Sequence, residues 1–132
     1  MASSWLEKAE RCLEAARILL AVGDADAACN RAYYAMFNAS RAALVAVGQD
    51  QRSKSKTHAG LISAFGQFVV NAGHLPPELT RALGKESNRR LVADYECEEL
   101  TLENAHDSIG NATQFVAAVK QWISLRAELP PQ

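Results

Sequence analysis

The sequence predicts an all-α fold, an antiparallel bundle of four main helices plus a short fifth. Three observations lead there. Apolar residues recur every three or four positions through successive segments, no segment alternates as a half-buried strand would, and capping residues stand at the segment borders. The intervening loops are short, so consecutive helices should run antiparallel.

The elements follow in order. Ser4 and Glu7 have capping-box spacing, and Leu6, Ala9, Leu13, Ala16 and Leu20 form an apolar stripe that Gly23 stops. Asp24 is an N-cap for a second helix that reaches about Val47, before Gly48. Ala28, Ala32, Ala35, Ala39, Ala43 and Ala46 make one stripe of small residues on it. Tyr33, Phe37, Ser40, Leu44 and Val47 make another. Two packing stripes predict a central helix with neighbours on more than one side. Residues 49–56 read as a polar, basic loop. Thr57 caps a third helix, with His58, Leu61, Ile62, Phe65, Phe68 and Val69 on its buried face and Gly73 at its end. Pro76 and Pro77 open a fourth helix to about Arg89 or Leu91, weakened by Gly84, Ser87 and Asn88. Residues 91–100 read as a connector with an acidic end. Thr101 caps the last helix, with Leu102, Ala105, Ile109, Ala112, Val116, Val119 and Ile123 as its core stripe and Pro130 and Pro131 beyond it.

The 132 residues amount to a single domain, residues 1–132. Hydrophobic residues make up 48% and charged residues 22%, which excludes general disorder. The formal net charge of -1 argues against nucleic-acid binding by bulk charge, but leaves room for a local basic patch. No apolar run is long enough to span a membrane, and the charged N-terminus from Glu7 onward is not that of a signal peptide. Cys12, Cys29 and Cys97 form no CxxC pair, so the expectation is a cytoplasmic protein with free thiols, no metal and no cofactor.

Three groups of residues have chemistry to offer. Arg31, Tyr34, Asn38 and Arg41 are spaced by three, four and three. They fall within roughly 80° of the helix circumference. This edge reads either as solvated side chains covering the core or as a ridge that binds anions or another subunit, since guanidinium groups suit phosphate. His58 reads either as a satisfied core histidine or as a general acid or base, with Arg52, Lys54 and Lys56 just before it. Arg89 and Arg90 precede Asp94 and Tyr95; Arg90 and Asp94 have the spacing of an internal ion pair, and Tyr95 would be an exposed phenol beside arginines. The apolar surface of the second helix, with Phe115, Trp122 and Leu125 on the last, exceeds what one small bundle covers and predicts a homodimer.

The runs NRAYYAMFNASRAAL at 30–44, KTHAGLISAF at 56–65 and RLVADY at 90–95 together resemble HEPN-domain proteins, in particular the small stand-alone bacterial and archaeal branch. The resemblance covers nearly the whole chain. It implies a dimerising helical bundle whose partner is a minimal nucleotidyltransferase. Many such pairs are toxin–antitoxin modules. In them the HEPN subunit is a metal-independent endoribonuclease, silenced when the transferase adds AMP to a tyrosine. On this resemblance Tyr95 is the modification acceptor, and Arg90 and His58 are the catalytic candidates. The family's signature, an Arg followed after four to six residues by His, is degenerate here: near Tyr95 its places are held by Ala93 and Asn88. Arg52 and His58 have five residues between them but stand elsewhere in the chain. The expected function is therefore that of a HEPN subunit binding nucleotide or RNA through the Arg31, Tyr34, Asn38 and Arg41 ridge. The alternatives are a metal-independent ribonuclease toxin using Arg31, Arg41 and His58, and an oligomerisation module without ligand.

Overall fold

A computed structural model describes residues 2–95 and 99–128, without the side chains of 94, 95, 127 and 128. Its elements are α1 (Ala2–Ala21), α2 (Ala25–Ala46), α3 (Asp50–Ser53), α4 (His58–Phe65), a π-helical segment (Gly66–Val70), α5 (Pro77–Tyr95) and α6 (Leu102–Glu128). The fold is an all-α bundle, and the described residues contain no strand.

The borders follow from local chemistry. The Asp24 carboxylate accepts a bond from the Ala27 backbone N–H at 3.1 Å, and the Thr57 hydroxyl accepts one from Gly60 at 3.0 Å. Thr101 and Asn104 cap each other reciprocally, each backbone N–H donating to the other's side chain at 3.0 Å. At the end of α1, Gly23 adopts φ 85°, its N–H reaches the Leu20 carbonyl at 3.0 Å, and the Asp24 N–H reaches Leu19 at 3.0 Å. This closes the last turn through a left-handed residue, which glycine adopts without a Cβ clash. Gly48 repeats the arrangement after α2.

Four details differ from expectation. Helix α1 begins at Ala2, so Ser4 lies inside its first turn and not at its cap. Residues 50–53 form one helical turn, secured by a 2.6 Å bond from the buried Ser53 hydroxyl to the Asp50 carbonyl. The third helix widens to π geometry after Phe65, with the Asn71 N–H bonded to the Gly66 carbonyl at 2.8 Å. The wider turn brings Val69 and Val70 to the same core as Leu61 and Phe65. Finally, α5 runs to Tyr95, so residues 91–95 are helix and not connector.

Cross-links set the topology. Glu10 pairs with Lys120 at 2.7 Å and Arg17 bonds Thr113 at 3.3 Å, so α1 is antiparallel to α6. Asp26 accepts from the Leu100 N–H at 2.8 Å and Arg126 donates to the Ala46 carbonyl at 3.3 Å, so α2 runs parallel to α6. α1 and α2 pack along one another as a hairpin, and α2 also meets α4, α5 and α6. It is the central helix, with Ala28, Ala32, Ala35, Ala39 and Ala43 fully buried. Small side chains there let neighbouring helices approach closely.

Helix α5 is fastened to α6 by a buried polar knot. Glu86 is 2% exposed. Its carboxylate accepts bonds from Ser108 at 2.5 Å, Asn111 at 2.9 Å and Arg89 at 3.3 Å. Arg89 also donates to Ser108 at 2.6 Å, to the Asn104 carbonyl at 3.1 Å and to Asp107 at 3.0 Å. Each buried charge is thus both paired and hydrogen-bonded, the condition under which it is tolerated. This tie holds α5 in place despite Gly84, Ser87 and Asn88. Phe115 is likewise claimed by the core, its ring 5.4 Å from that of Phe65. No helix among the described residues is long and apolar enough to cross a membrane.

Candidate functional site

The first turn of α4 brings His58 against the middle of α2. Its Nδ1 lies 2.7 Å from the Tyr33 hydroxyl. The imidazole also packs on Phe37 at 4.7 Å between ring centroids and meets Tyr34 edge-on at 5.8 Å. Thr57, by capping α4, fixes the turn that carries the histidine.

Guanidinium groups surround this aromatic cluster. Arg31 stacks on Tyr34 at 4.9 Å and Arg90 on Tyr33 at 5.2 Å. Arg41 is held between Trp5 of α1 at 4.7 Å and Phe37 at 4.8 Å. Cation–π contact positions these groups without neutralising them. Among the described residues, Arg31 makes a 3.4 Å bond to the Asn30 side chain and no other hydrogen bond, and the buried Nε of Arg41 has no hydrogen-bond partner. Among the described residues neither Arg31 nor Arg41 makes an ion pair. Burial lowers the Arg41 pKa, partly countered by Tyr34, yet a guanidinium stays cationic at neutral pH.

The electrostatics act on His58 as well. Burial comes first, then the charges of Arg90 and Arg41, and all three lower its pKa from 6.5. The imidazole is therefore neutral at physiological pH. Burial raises the Tyr33 phenol, with Ser87 and Arg90 partly offsetting it. Tyr33 is 0% exposed and stays protonated.

A groove of about 500 Å³ opens between α4 and α5. His58, Ser63, Ser87, Asn88 and Arg90 supply its polar lining, and Ile62 and Leu91 part of its apolar lining. His58 and Arg90, which stand far apart in the sequence, thus face one space.

The other expected site residues divide. Arg31, Tyr34 and Arg41 lie along one side of the aromatic cluster. Asn38 does not join them: it is 8% exposed and its amide donates to the Cys12 sulfur of α1 at 3.7 Å. Tyr95 is the last residue of α5, but its side chain lies outside the described residues, as do Asp94 and Cys97. Arg89 is engaged in the knot with Glu86 and α6. In the sequence Tyr33 reads as a packing residue of its stripe; the signal for more is its hydroxyl, since a buried phenol needs a partner.

Comparison with known proteins agrees with this architecture. The family model described as HEPN domain matches residues 2–122. A UPF0332 protein of Gloeobacter violaceus is 35% identical over 96% of this chain and 94% of its own length. A Methanocaldococcus jannaschii protein bearing the name "Putative toxin MJ0605" is 36% identical over 88% of this chain and 84% of its own. A UPF0332 protein of Thermotoga maritima is 35% identical over 90% and 88%. With one helical bundle, one family model and these relatives in accord, the chain belongs to the HEPN domain family.

Proposed function

We propose that this protein is the HEPN subunit of a toxin–antitoxin-like pair with a minimal nucleotidyltransferase, and that it binds the phosphates of a nucleotide or RNA. The observation that carries this reading is the cation excess around the aromatic cluster: Arg31 and Arg41 stand on Tyr34 and Phe37 with no carboxylate paired to either among the described residues. Guanidinium forks donate paired hydrogen bonds to the oxygens of phosphate. The toxin-like name of the Methanocaldococcus jannaschii relative supports the toxin side of the proposal. The subunit acts as a homodimer in this reading, supported by exposed Ile18, Val22 and Leu125.

The test is co-expression with the product of the adjacent gene, followed by co-purification and intact mass, with fluorescence anisotropy of a labelled single-stranded RNA on the isolated protein. A stable complex and saturable RNA binding are expected. Absence of both overturns the proposal.

One observation favours a second reading, a metal-independent endoribonuclease: His58 and Arg90 line the same groove. Such cleavage needs a base for the 2′-hydroxyl and a cation for the phosphorane. RNA cleavage in the presence of EDTA that disappears in both His58→Ala and Arg90→Ala would establish it.

A further inference from the structure

The direction of the Tyr33–His58 hydrogen bond determines what His58 can do in the groove. Two arrangements satisfy a 2.7 Å separation. In one, the phenol donates to Nδ1 and the ring proton sits on Nε2. In the other, Nδ1–H donates to the phenolic oxygen and Nε2 carries a lone pair.

The surroundings of Tyr33 choose between them. Its hydroxyl is wholly buried, and among the described residues His58 Nδ1 is the one acceptor bonded to it. Were Nδ1–H to donate, the phenolic hydrogen would be buried with no acceptor bonded to it among the described residues, the costly half of the hydrogen-bond asymmetry. On the other side of the ring, Nε2 has no hydrogen-bond partner among the described residues, and His58 lines the groove with Arg90.

We propose that Tyr33 donates its phenolic hydrogen to Nδ1 of His58, so that His58 offers Nε2–H, beside Arg90, to an oxygen of a bound phosphate group. Tyr33 is then a positioning residue and His58 the group that touches ligand. The inference rests on the reading of this region as a phosphate-binding site and specifies its chemistry: every polar group the histidine and arginine extend is a donor, suited to an anionic oxygen. It also removes Nε2 as the base of the ribonuclease reading. The depressed histidine and raised phenol pKa values agree with this arrangement, because both groups keep the protonation states it requires.

The experiment is a long-range proton–nitrogen NMR spectrum of the full chain labelled with ¹⁵N-histidine, recorded at mildly alkaline pH, with His58 assigned by His58→Gln. The expected pattern is a protonated Nε2 and an unprotonated Nδ1. Titration with a short single-stranded RNA should shift the His58 Nε2 signal and leave His106 in place. Tyr33→Phe should bring both tautomers into exchange and weaken RNA binding about tenfold or less, the range of a single lost hydrogen bond. A wild-type spectrum with the proton on Nδ1 overturns the inference and leaves the binding proposal standing. So does RNA that binds, by anisotropy, without moving the His58 signals. RNA that fails to bind at all overturns both. The wild-type spectrum decides the tautomer even if Tyr33→Phe does not fold.

Discussion

The hydroxyl of Tyr33 lies 2.7 Å from Nδ1 of His58 and joins the centre of α2 to the first residue of α4. The surroundings of this histidine make stability pH-dependent. The folded-state pKa of His58 lies below the 6.5 of the unfolded chain, through burial first and then Arg90 and Arg41. As pH falls through 6.5 the unfolded chain takes up a proton that folded His58 still refuses. Stability therefore declines from pH 6.5 down to the folded value and is flat above 6.5 on this residue's account. Urea unfolding at about pH 7.5 and about pH 5.5 should show the decline in wild type and a smaller one in His58→Gln. Equal slopes in the two proteins would contradict the assignment. Asp107, whose pKa is lowered by hydrogen bonds from Lys85 and then Arg89, loses its contribution in the same direction at more acidic pH, and His58→Gln leaves that loss unchanged.

The Glu86 knot carries a second prediction. Removing the carboxylate leaves the Ser108 hydroxyl and the Asn111 amide without their acceptor in a largely buried setting, while Arg89 keeps Asp107. Glu86→Ala should cost about 1–3 kcal/mol, the range for leaving buried polar groups unsatisfied. Chemical denaturation measures it. A loss below about 1 kcal/mol would show that α5 is held by its apolar contacts alone.

Tyr95 carries a third. If it is the acceptor, its phenolic oxygen attacks the α-phosphorus of ATP in the partner transferase, pyrophosphate leaves, and a base of the partner takes the phenol proton. Incubation with that transferase, ATP and magnesium should add the mass of one adenylyl group to wild type and none to Tyr95→Phe. An adduct that survives the substitution removes Tyr95 from the role. Arg89 is committed to α6 and does not serve as the cation beside Tyr95.

What the sequence revealed was local. Asp24, Thr57 and Thr101 are legible as caps because a cap needs only its own backbone three residues on. Gly23 and Gly48 are legible as stops for the same reason. The π turn after Phe65 was hidden, since it depends on how Val69 and Val70 fit a core built by distant helices. The sequence reads α5 as ending near Arg89 or Leu91 because Gly84, Ser87 and Asn88 argue locally against a helix that Glu86 and Arg89 anchor from afar. The site shows the same division. Helical spacing put Arg31, Tyr34 and Arg41 on one edge. It could not show that α1 covers Asn38 at that edge, nor that α4 and α5 bring His58 and Arg90 to one groove.

The central claim is that the cations on this aromatic cluster receive phosphate. The direct measurement is anisotropy of a labelled single-stranded RNA over a series of salt concentrations, for wild type and the double variant Arg31→Ala/Arg41→Ala. A thermal melt by circular dichroism confirms that both are folded, with a modest loss in the variant because Arg41 also packs on Trp5 and Phe37. Each phosphate contact on single-stranded nucleic acid contributes about 0.7 to the slope of log affinity against log salt, so losing two should weaken binding and reduce the slope by about 1.4. A folded double variant that binds RNA with wild-type affinity and an unchanged slope would contradict the account.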